Sequence, residues 1–109
     1  MSMDSEHVLY IRRPGPRPAF HLVAEHLWGA GCDYDSDGNS MTALDSEWTE
    51  LTVALRGAGQ DEQLNIDLLP HDPLVLVVRS PIEALCARAT RFIVSCSGGS
   101  IEQPSDELF

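Results

Sequence analysis

The chain has 109 residues, 43% of them hydrophobic, which is enough for one domain with a single modest core. Seventeen acidic residues face only seven basic ones, all arginine, and the net charge of −10 argues against nucleic acid or an anionic membrane as partner. The lack of lysine also excludes Schiff-base catalysis and a P-loop. The longest apolar run, Leu74–Val78, is too short to cross a bilayer and the first residues do not resemble a signal peptide, so we predict a cytoplasmic protein.

The first predicted elements are a strand and a helix. Strand-forming residues fill His7–Arg12. The segment Arg13–Pro18, with three prolines and a glycine, interrupts regular structure. Apolar residues at helical spacing then predict an amphipathic helix from Phe20 to Trp28, which Gly29 ends.

The middle of the chain is predicted to consist of turns and strands. Residues 32–45 are polar, and the step Asp37-Gly38 predicts a hairpin. Residues 48–56 alternate, with Leu51 and Val53 on one face of a strand and Trp48 and Glu50 on the other, solvated face. Residues 63–68 form a second alternating strand, and residues 74–78 form a strand that is covered on both faces.

The last predicted element is a helix introduced by Ser80-Pro81-Ile82-Glu83, with Ser80 as N-cap. Its apolar face is predicted to comprise Ile82, Leu85, Cys86, Ala89, Ile93 and Cys96. Gly98-Gly99 ends the helix, and residues 102–109 are expected to be a loose acidic tail. The three cysteines have no C-x-x-C spacing and are expected to be free thiols.

Together these elements predict a single α+β domain spanning residues 1–109. We expect an antiparallel sheet of four to five strands with two helices packed on one face, because this arrangement buries both apolar helix faces together. A ferredoxin-like sandwich or a close variant is the predicted architecture.

The negative charge is concentrated in residues 18–78, which contain eleven acidic residues and a single base, Arg56. Such a field attracts a basic protein surface, and the alternative is that it merely keeps the protein soluble. Trp48, predicted beside carboxylates on a solvated sheet face, either resembles the aromatic anchors of protein interfaces or covers the sheet edge. The predicted partner-binding residues are Asp33, Asp35, Asp37, Asp45, Glu47, Trp48 and Glu50.

Two motifs suggest metal ions. Asp33-x-Asp35-x-Asp37-Gly38 resembles the beginning of an EF-hand calcium loop, but the twelfth position, where a bidentate glutamate is needed, is Leu44. His21 and Glu25 share a helical face, yet no third ligand is spaced to complete a zinc site. We therefore predict an acidic turn, no metal site and no cofactor.

Arg12, Arg13 and Arg17 form the only basic cluster, directly before the first predicted helix. A helix N-terminus and nearby guanidinium groups can bind an anion. The prolines between them remove some of the backbone donors that a phosphate cradle requires. The competing interpretation is that these arginines neutralise the protein's own carboxylates.

No catalytic constellation is visible, since the G-x-S-x-G nucleophile motif is absent and no acid–base pair is marked by its setting. We predict a non-enzymatic intracellular inhibitor that neutralises a basic partner, in the manner of bacterial immunity proteins that block a toxin. A regulatory domain that binds an anionic small molecule through Arg12–Arg17 is the alternative. The partner's identity and the oligomeric state stay open.

Overall fold

A computed structural model describes residues 7–42, 44–57, 62–69 and 75–103 of the chain. Their elements in chain order are β1 (His7–Arg12), α1 (Phe20–Trp28), β2 (Tyr34–Gly38), β3 (Leu51–Leu55), β4 (Gln63–Leu69), β5 (Val75–Ser80), α2 (Glu83–Ser97) and β6 (Ser100–Glu102). The strands form one antiparallel sheet in the order β2-β3-β4-β5-β1-β6, which does not close into a barrel. The predicted α+β class is confirmed, but within the described residues the sheet has six strands rather than four to five.

The two strands that we did not count lie at the two edges of the sheet. β2 is polar and has one strand-forming side chain, that of Tyr34, but it pairs with the apolar β3 over its whole length, from Tyr34 opposite Leu55 to Gly38 opposite Leu51. The loop of the predicted hairpin is therefore longer than expected, because Asp37-Gly38 ends strand β2 instead of forming the turn. β6 pairs with β1, so the predicted tail begins as a strand, while its residues 104–109 lie outside the described residues.

The core lies between one face of the sheet and the two helices. Alternation along the paired strands sends one set of side chains toward the helices. The buried hydrophobic cluster consists of Ile11, Val23, Ala24, Leu27, Trp48, Leu51, Val53, Leu64, Ile66, Leu76, Val78, Leu85, Cys86, Ala89 and Ile93. Burial of each large aliphatic side chain contributes roughly 1.5–3 kcal/mol, which makes this cluster the main source of stability.

Helix α1 confirms the amphipathic pattern. Val23, Ala24 and Leu27 are buried against the sheet and against α2. Gly29 ends the helix at φ 100°, a conformation that favours glycine, and donates its N–H to Glu25 O at 2.7 Å.

Helix α2 begins later than predicted. Ser80 is the last residue of β5, and its hydroxyl accepts the N–H of Ile82 and donates to Gln63 O. Ile82 occupies the N-cap position, and no side chain caps the helix. Ser80 therefore ties the strand end to β4, because the chain needs two further residues to turn from the sheet into the helix.

The cysteines are free, as predicted. Cys86 is buried and its thiol contacts Val78 O, whereas Cys96 is exposed in the last turn of α2, so its predicted place on the apolar face is wrong. Among the described residues, no helix is both long enough and apolar enough to cross a membrane.

Candidate functional site at the acidic edge of the sheet

Strand β2 forms one edge of the sheet and continues into the loop that leads to β3. We call residues 33–50 the acidic edge. Its carboxylates are Asp33, Asp35, Asp37, Asp45, Glu47 and Glu50, all of them exposed except Asp45, which is half-buried. Charged side chains are common on edge strands because they discourage pairing with other chains. All six predicted carboxylates lie in the edge strand β2 or in the residues directly beside it along the chain.

One arginine offsets part of this charge. Arg56, directly after β3, forms an ion pair with Asp35 and lies 3.6 Å from Asp33. The hydrogen bond to Asp35, followed by the charges of the two aspartates, raises the pKa of Arg56. Exposed pairs of this kind contribute little to stability. Across the acidic edge, six carboxylates therefore face Arg56 and, near Asp45, the buried Arg17, so an excess of negative charge remains.

Asp45 has a structural role within the acidic edge. Its two carboxylate oxygens accept the backbone N–H groups of Met41 at 2.9 Å and Glu47 at 2.8 Å. These two bonds lower the pKa of Asp45. Asp45 therefore stabilises the conformation of the loop through these hydrogen bonds, unlike exposed carboxylates such as those of Glu47 and Glu50.

Asn39 fixes the ends of the same loop. Its side-chain oxygen accepts the N–H groups of Thr49 and Glu50, and its amide donates to Thr49 Oγ1 at 2.9 Å. Asparagine and aspartate commonly organise turns through such local bonds. Asn39, which the sequence analysis did not single out, thus joins the two ends of the loop, and Asp45, predicted as a partner-binding residue, holds its middle.

Two exposed apolar side chains project from this loop. Met41 is 86% exposed and Leu44 is 77% exposed, the two highest values among large hydrophobic residues in the described part of the chain. Sequence reasoning missed both as interface candidates. Their signal was present, because they are isolated large apolar residues within an otherwise polar, turn-rich segment.

Trp48 does not lie on the solvated face, and the prediction of an exposed aromatic anchor is wrong. Its side chain is 0% exposed and belongs to the core cluster, with Nε1 donating to Pro18 O at 2.8 Å. The strand begins only at Leu51, so the alternation that placed Trp48 outward does not extend back to it. A large amphipathic ring is more stable buried when its N–H has a partner.

The three predicted anion-binding arginines do not converge. Arg17 is 7% exposed, and its guanidinium donates to Trp48 O at 2.8 Å and Gly15 O at 2.9 Å. Arg12 forms an ion pair with Glu102 across the β1–β6 pairing. Arg13 alone is exposed without an ion pair among the described residues. The structure therefore brings no trio of free guanidinium groups together.

The calcium-like spacing lies on an extended strand. Asp35 and Asp37 are alternate residues of β2, which places them in a row about 7 Å apart along the edge instead of around a common centre. Within the described ranges, no group of three or more His, Cys, Asp or Glu side chains is placed to hold a metal ion.

A small pocket opens on the helix side of the acidic edge. It has a volume of about 220 Å³ and is lined by Phe20, Ser36, Asp37, Gly38, Ser40 and Leu51. The paired register places Ser36 and Gly38 opposite the buried Val53 and Leu51, on the face that carries the helices. Small side chains at these two positions leave the space that the pocket occupies.

The face of the sheet opposite the helices carries polar contacts between neighbouring strands. Thr52 Oγ1 donates to Asn65 Oδ1 at 2.9 Å, and Arg79 forms an ion pair with Asp67. Asp67 is thus one of the acidic residues whose charge is offset within the molecule.

No protein-family model, curated protein or solved structure matches the chain, so the geometry of the acidic edge is the basis for any functional assignment.

Proposed function

We propose that the protein binds a basic protein partner through the acidic edge. The observation that carries this proposal is the coincidence of two features in residues 33–50. Carboxylates there outnumber guanidinium groups, and Met41 and Leu44 are exposed among them. Interfaces commonly combine an apolar centre with a charged periphery.

The charges would act mainly on association. Complementary potentials accelerate encounter and select against partners of the wrong charge, and salt weakens both effects. Glu47 and Glu50 are exposed and lack ion pairs among the described residues, so their charge is available to a partner. Asp35 must first exchange its bond with Arg56.

The apolar side chains would supply binding energy. Met41 and Leu44 sit on a loop that Asn39 and Asp45 fix through backbone hydrogen bonds. A loop that is ordered before binding loses less conformational entropy on association. Met41 and Leu44 thus take the anchor role that we first assigned to Trp48.

The more specific form of the proposal is a non-enzymatic, cytoplasmic inhibitor of the immunity type, which neutralises a basic toxin. Small size, high acidity and a prominent acidic surface support this analogy.

We also propose that the fold is a variant of the ferredoxin-like sandwich. Strands β1, β4, β5 and β6 with both helices follow the order β-α-β-β-α-β along the chain, and β2 and β3 extend this sheet at one edge.

The test is calorimetry with the product of the adjacent gene at low and high salt. We compare Glu47→Gln/Glu50→Gln with a control, Glu83→Gln/Glu102→Gln, which makes the same change in net charge outside the acidic edge. The first variant should weaken binding, and the control should retain it. The variant Met41→Ser/Leu44→Ser should weaken binding at both salt concentrations.

Two results would overturn the proposal. One is binding of a basic partner that neither salt nor the Glu47 and Glu50 substitutions affect. The other is an equal loss in the control variant, which would mean that only the overall charge matters and not the acidic edge.

A further inference from the structure

Strand β2 has a free backbone edge. It is the first strand in the sheet order, and among the described residues it pairs only with β3. In an antiparallel pair, successive residues direct their N–H and C=O groups alternately toward the neighbouring strand and away from it. The bond from Arg56 N–H to Asp33 O at 2.9 Å shows that the odd-numbered residues of this segment face β3. The backbone groups of its even-numbered residues therefore point away from the sheet.

Three residues of β2 have their backbone groups on this free edge: Tyr34, Ser36 and Gly38. The Gly38 N–H donates to Asp37 Oδ1 at 2.9 Å. The backbone groups of Tyr34 and Ser36 have no hydrogen-bond partner within the described ranges, and Ser36 is exposed. An extended segment can donate to such an edge and accept from it at once, which is how many proteins bind peptides.

The two carboxylates of β2 lie on the sheet face opposite the helices. The pairing of Asp35 with Ala54 and of Asp37 with Thr52 places them there, and both are exposed. Alternate residues of a strand are about 7 Å apart and point to the same face. A strand added beside β2 would present its own side chains with the same period, so basic residues at alternate positions would lie across from both carboxylates.

The register brings these opposite charges close together. Because the backbone groups of Ser36 point outward, Ser36 would form a hydrogen-bonded pair with the central residue of an added antiparallel strand. Asp35 and Asp37 would then occupy the non-hydrogen-bonded positions, where Cα atoms are about 4.5 Å apart instead of about 5.5 Å. Opposite charges at such positions stabilise the pairing of two strands.

The same register argues against a second copy of this chain as the occupant. Antiparallel pairing of two β2 strands about Ser36 would place Asp35 of each copy directly opposite Asp37 of the other. Like charges at directly opposite positions are destabilising, and charged side chains on edge strands commonly prevent such self-pairing. The edge therefore favours a segment of opposite charge.

On the helix side, the edge leaves room for one apolar side chain. Ser36 and Gly38 are opposite the buried Val53 and Leu51, and the pocket of about 220 Å³ beside them has Phe20 and Leu51 as its apolar lining. The central residue of an added strand would point to this side, because it lies opposite Ser36. An apolar side chain there would cover the pocket and remove its apolar surface from water.

We propose that β2 pairs with an extended segment of the basic protein partner, antiparallel like every described pair of this sheet. In that segment, lysine or arginine at two alternate positions faces Asp35 and Asp37, and the residue between them is apolar and faces the pocket. Backbone bonds to Tyr34 and Ser36 supply affinity, and the alternating side chains supply specificity. This inference rests on the proposed function, since it names the form in which the partner binds the acidic edge.

The test is amide hydrogen exchange, followed by NMR on the ¹⁵N-labelled protein with the capped pentapeptide Thr-Lys-Val-Lys-Thr. In the free protein, the amides of Tyr34 and Ser36 should exchange rapidly, whereas those of Asp35 and Asp37, which face β3, should be protected. Saturation with the peptide should slow the exchange of Tyr34 and Ser36 by about tenfold or more, because their N–H groups gain partners.

Modified peptides separate strand pairing from attraction between charges. N-methylation of the valine removes the donor that faces Ser36 O and should abolish binding, whereas N-methylation of one lysine, whose N–H points away from β2, should preserve it. The peptide Lys-Thr-Val-Thr-Lys has the same composition but its lysines are out of register with Asp35 and Asp37. It should bind about threefold more weakly or worse.

Ser36 also allows a matched pair of protein variants. Ser36→Pro removes an N–H that does not bond to β3, and proline is tolerated on edge strands where the missing donor faces solvent. This variant should lose peptide binding, and Ser36→Ala, which keeps the donor, should retain it. Asp35→Asn/Asp37→Asn should weaken binding by about two- to thirtyfold, as expected for two cross-strand charge pairs, and Glu83→Gln/Glu102→Gln is the control with the same charge change.

Two results with the native protein would overturn this assignment. One is that the alternating peptide gives Tyr34 and Ser36 no protection at millimolar concentration. The other is that the peptide with N-methylated valine binds as tightly as its parent, which would leave only attraction between charges.

These outcomes are distinguishable from failure of the proposed function. If Ser36→Pro, shown to be folded by its spectrum, leaves salt-dependent binding of the basic protein unchanged, strand pairing is wrong and the acidic edge stands. If the peptide pairs with β2 but no basic protein binds the acidic edge, the strand site stands and the proposed function is wrong.

Discussion

The two edges of the sheet use charged residues in opposite ways. At the β6 edge, Arg12 pairs with Glu102 across the β1–β6 pairing. At the acidic edge, Glu47 and Glu50 remain exposed without ion pairs among the described residues. A local excess of one charge becomes available to a partner only where the fold does not already use it.

A second contrast lies within a single loop, where some residues support the fold and others face solvent. Trp48 and Leu44 both belong to the acidic edge, yet one is fully buried and the other is 77% exposed.

The first prediction concerns Trp48 and Leu44. Trp48→Ala should destabilise the protein by about 3–5 kcal/mol, because it removes a large core side chain and leaves a cavity. Leu44→Ala should change stability by less than about 0.5 kcal/mol, as expected for an exposed site. Urea unfolding of both variants measures the difference. Equal stability of the two would show that Trp48 is not a core residue.

The second prediction compares the contributions to stability of Arg13 and Arg17, two arginines of the loop after β1. Arg17→Met should cost about 3 kcal/mol, because the carbonyls of Trp48 and Gly15 lose a charged donor in a buried setting. The exposed Arg13→Met should stay within about 0.5 kcal/mol of the native protein. Thermal and urea unfolding test this pair. A similar cost at both positions would mean that the burial of Arg17 does not matter.

The third prediction concerns a variant in which the acidic edge has a larger excess of negative charge. Arg56→Gln releases Asp33 and Asp35 and should tighten binding of a hexa-arginine peptide about threefold at low salt, within the range of exposed ion pairs. Arg91→Gln makes the same charge change on helix α2 and serves as the control. Fluorescence titration measures both. Equal tightening in the two variants would favour a general charge effect over a local one.

The fourth prediction is a pH effect of modest size at Asp45. Its pKa in the folded protein lies below the ordinary value because the Met41 and Glu47 N–H groups stabilise the carboxylate. Its stabilising contribution is therefore present above the unfolded pKa and is lost as the pH falls through the lower folded pKa. The amide signals of Met41 and Glu47 should move together in an NMR pH titration, with a midpoint below that of an ordinary aspartate.

Asp45→Asn is the matched variant for this titration. It should abolish the common midpoint of the two amides and leave the rest of the spectrum in place. If the native protein titrates there with an ordinary aspartate pKa, the two backbone bonds do not persist in solution.

Local sequence patterns determined the elements whose signals are periodic. The apolar spacing from Phe20 to Trp28, the strand formers of β1 and the alternation of Leu51 and Val53 each specified an element and its buried face. These patterns succeed because side-chain direction along a helix or strand follows directly from backbone geometry. The concentration of carboxylates in the middle of the chain was equally visible.

Which side chains remain free depends on contacts between segments that are distant along the chain. The polar β2 becomes a strand because β3 offers it a partner, although four of its five residues have low strand propensity. Trp48 and Arg17 are buried together because Trp48 Nε1 reaches Pro18 O and Arg17 reaches Trp48 O, contacts between residues about thirty positions apart. Sequence fixes the charge and periodicity of each segment, but exposure depends on long-range packing, and exposure separates the structural residues from the proposed binding residues.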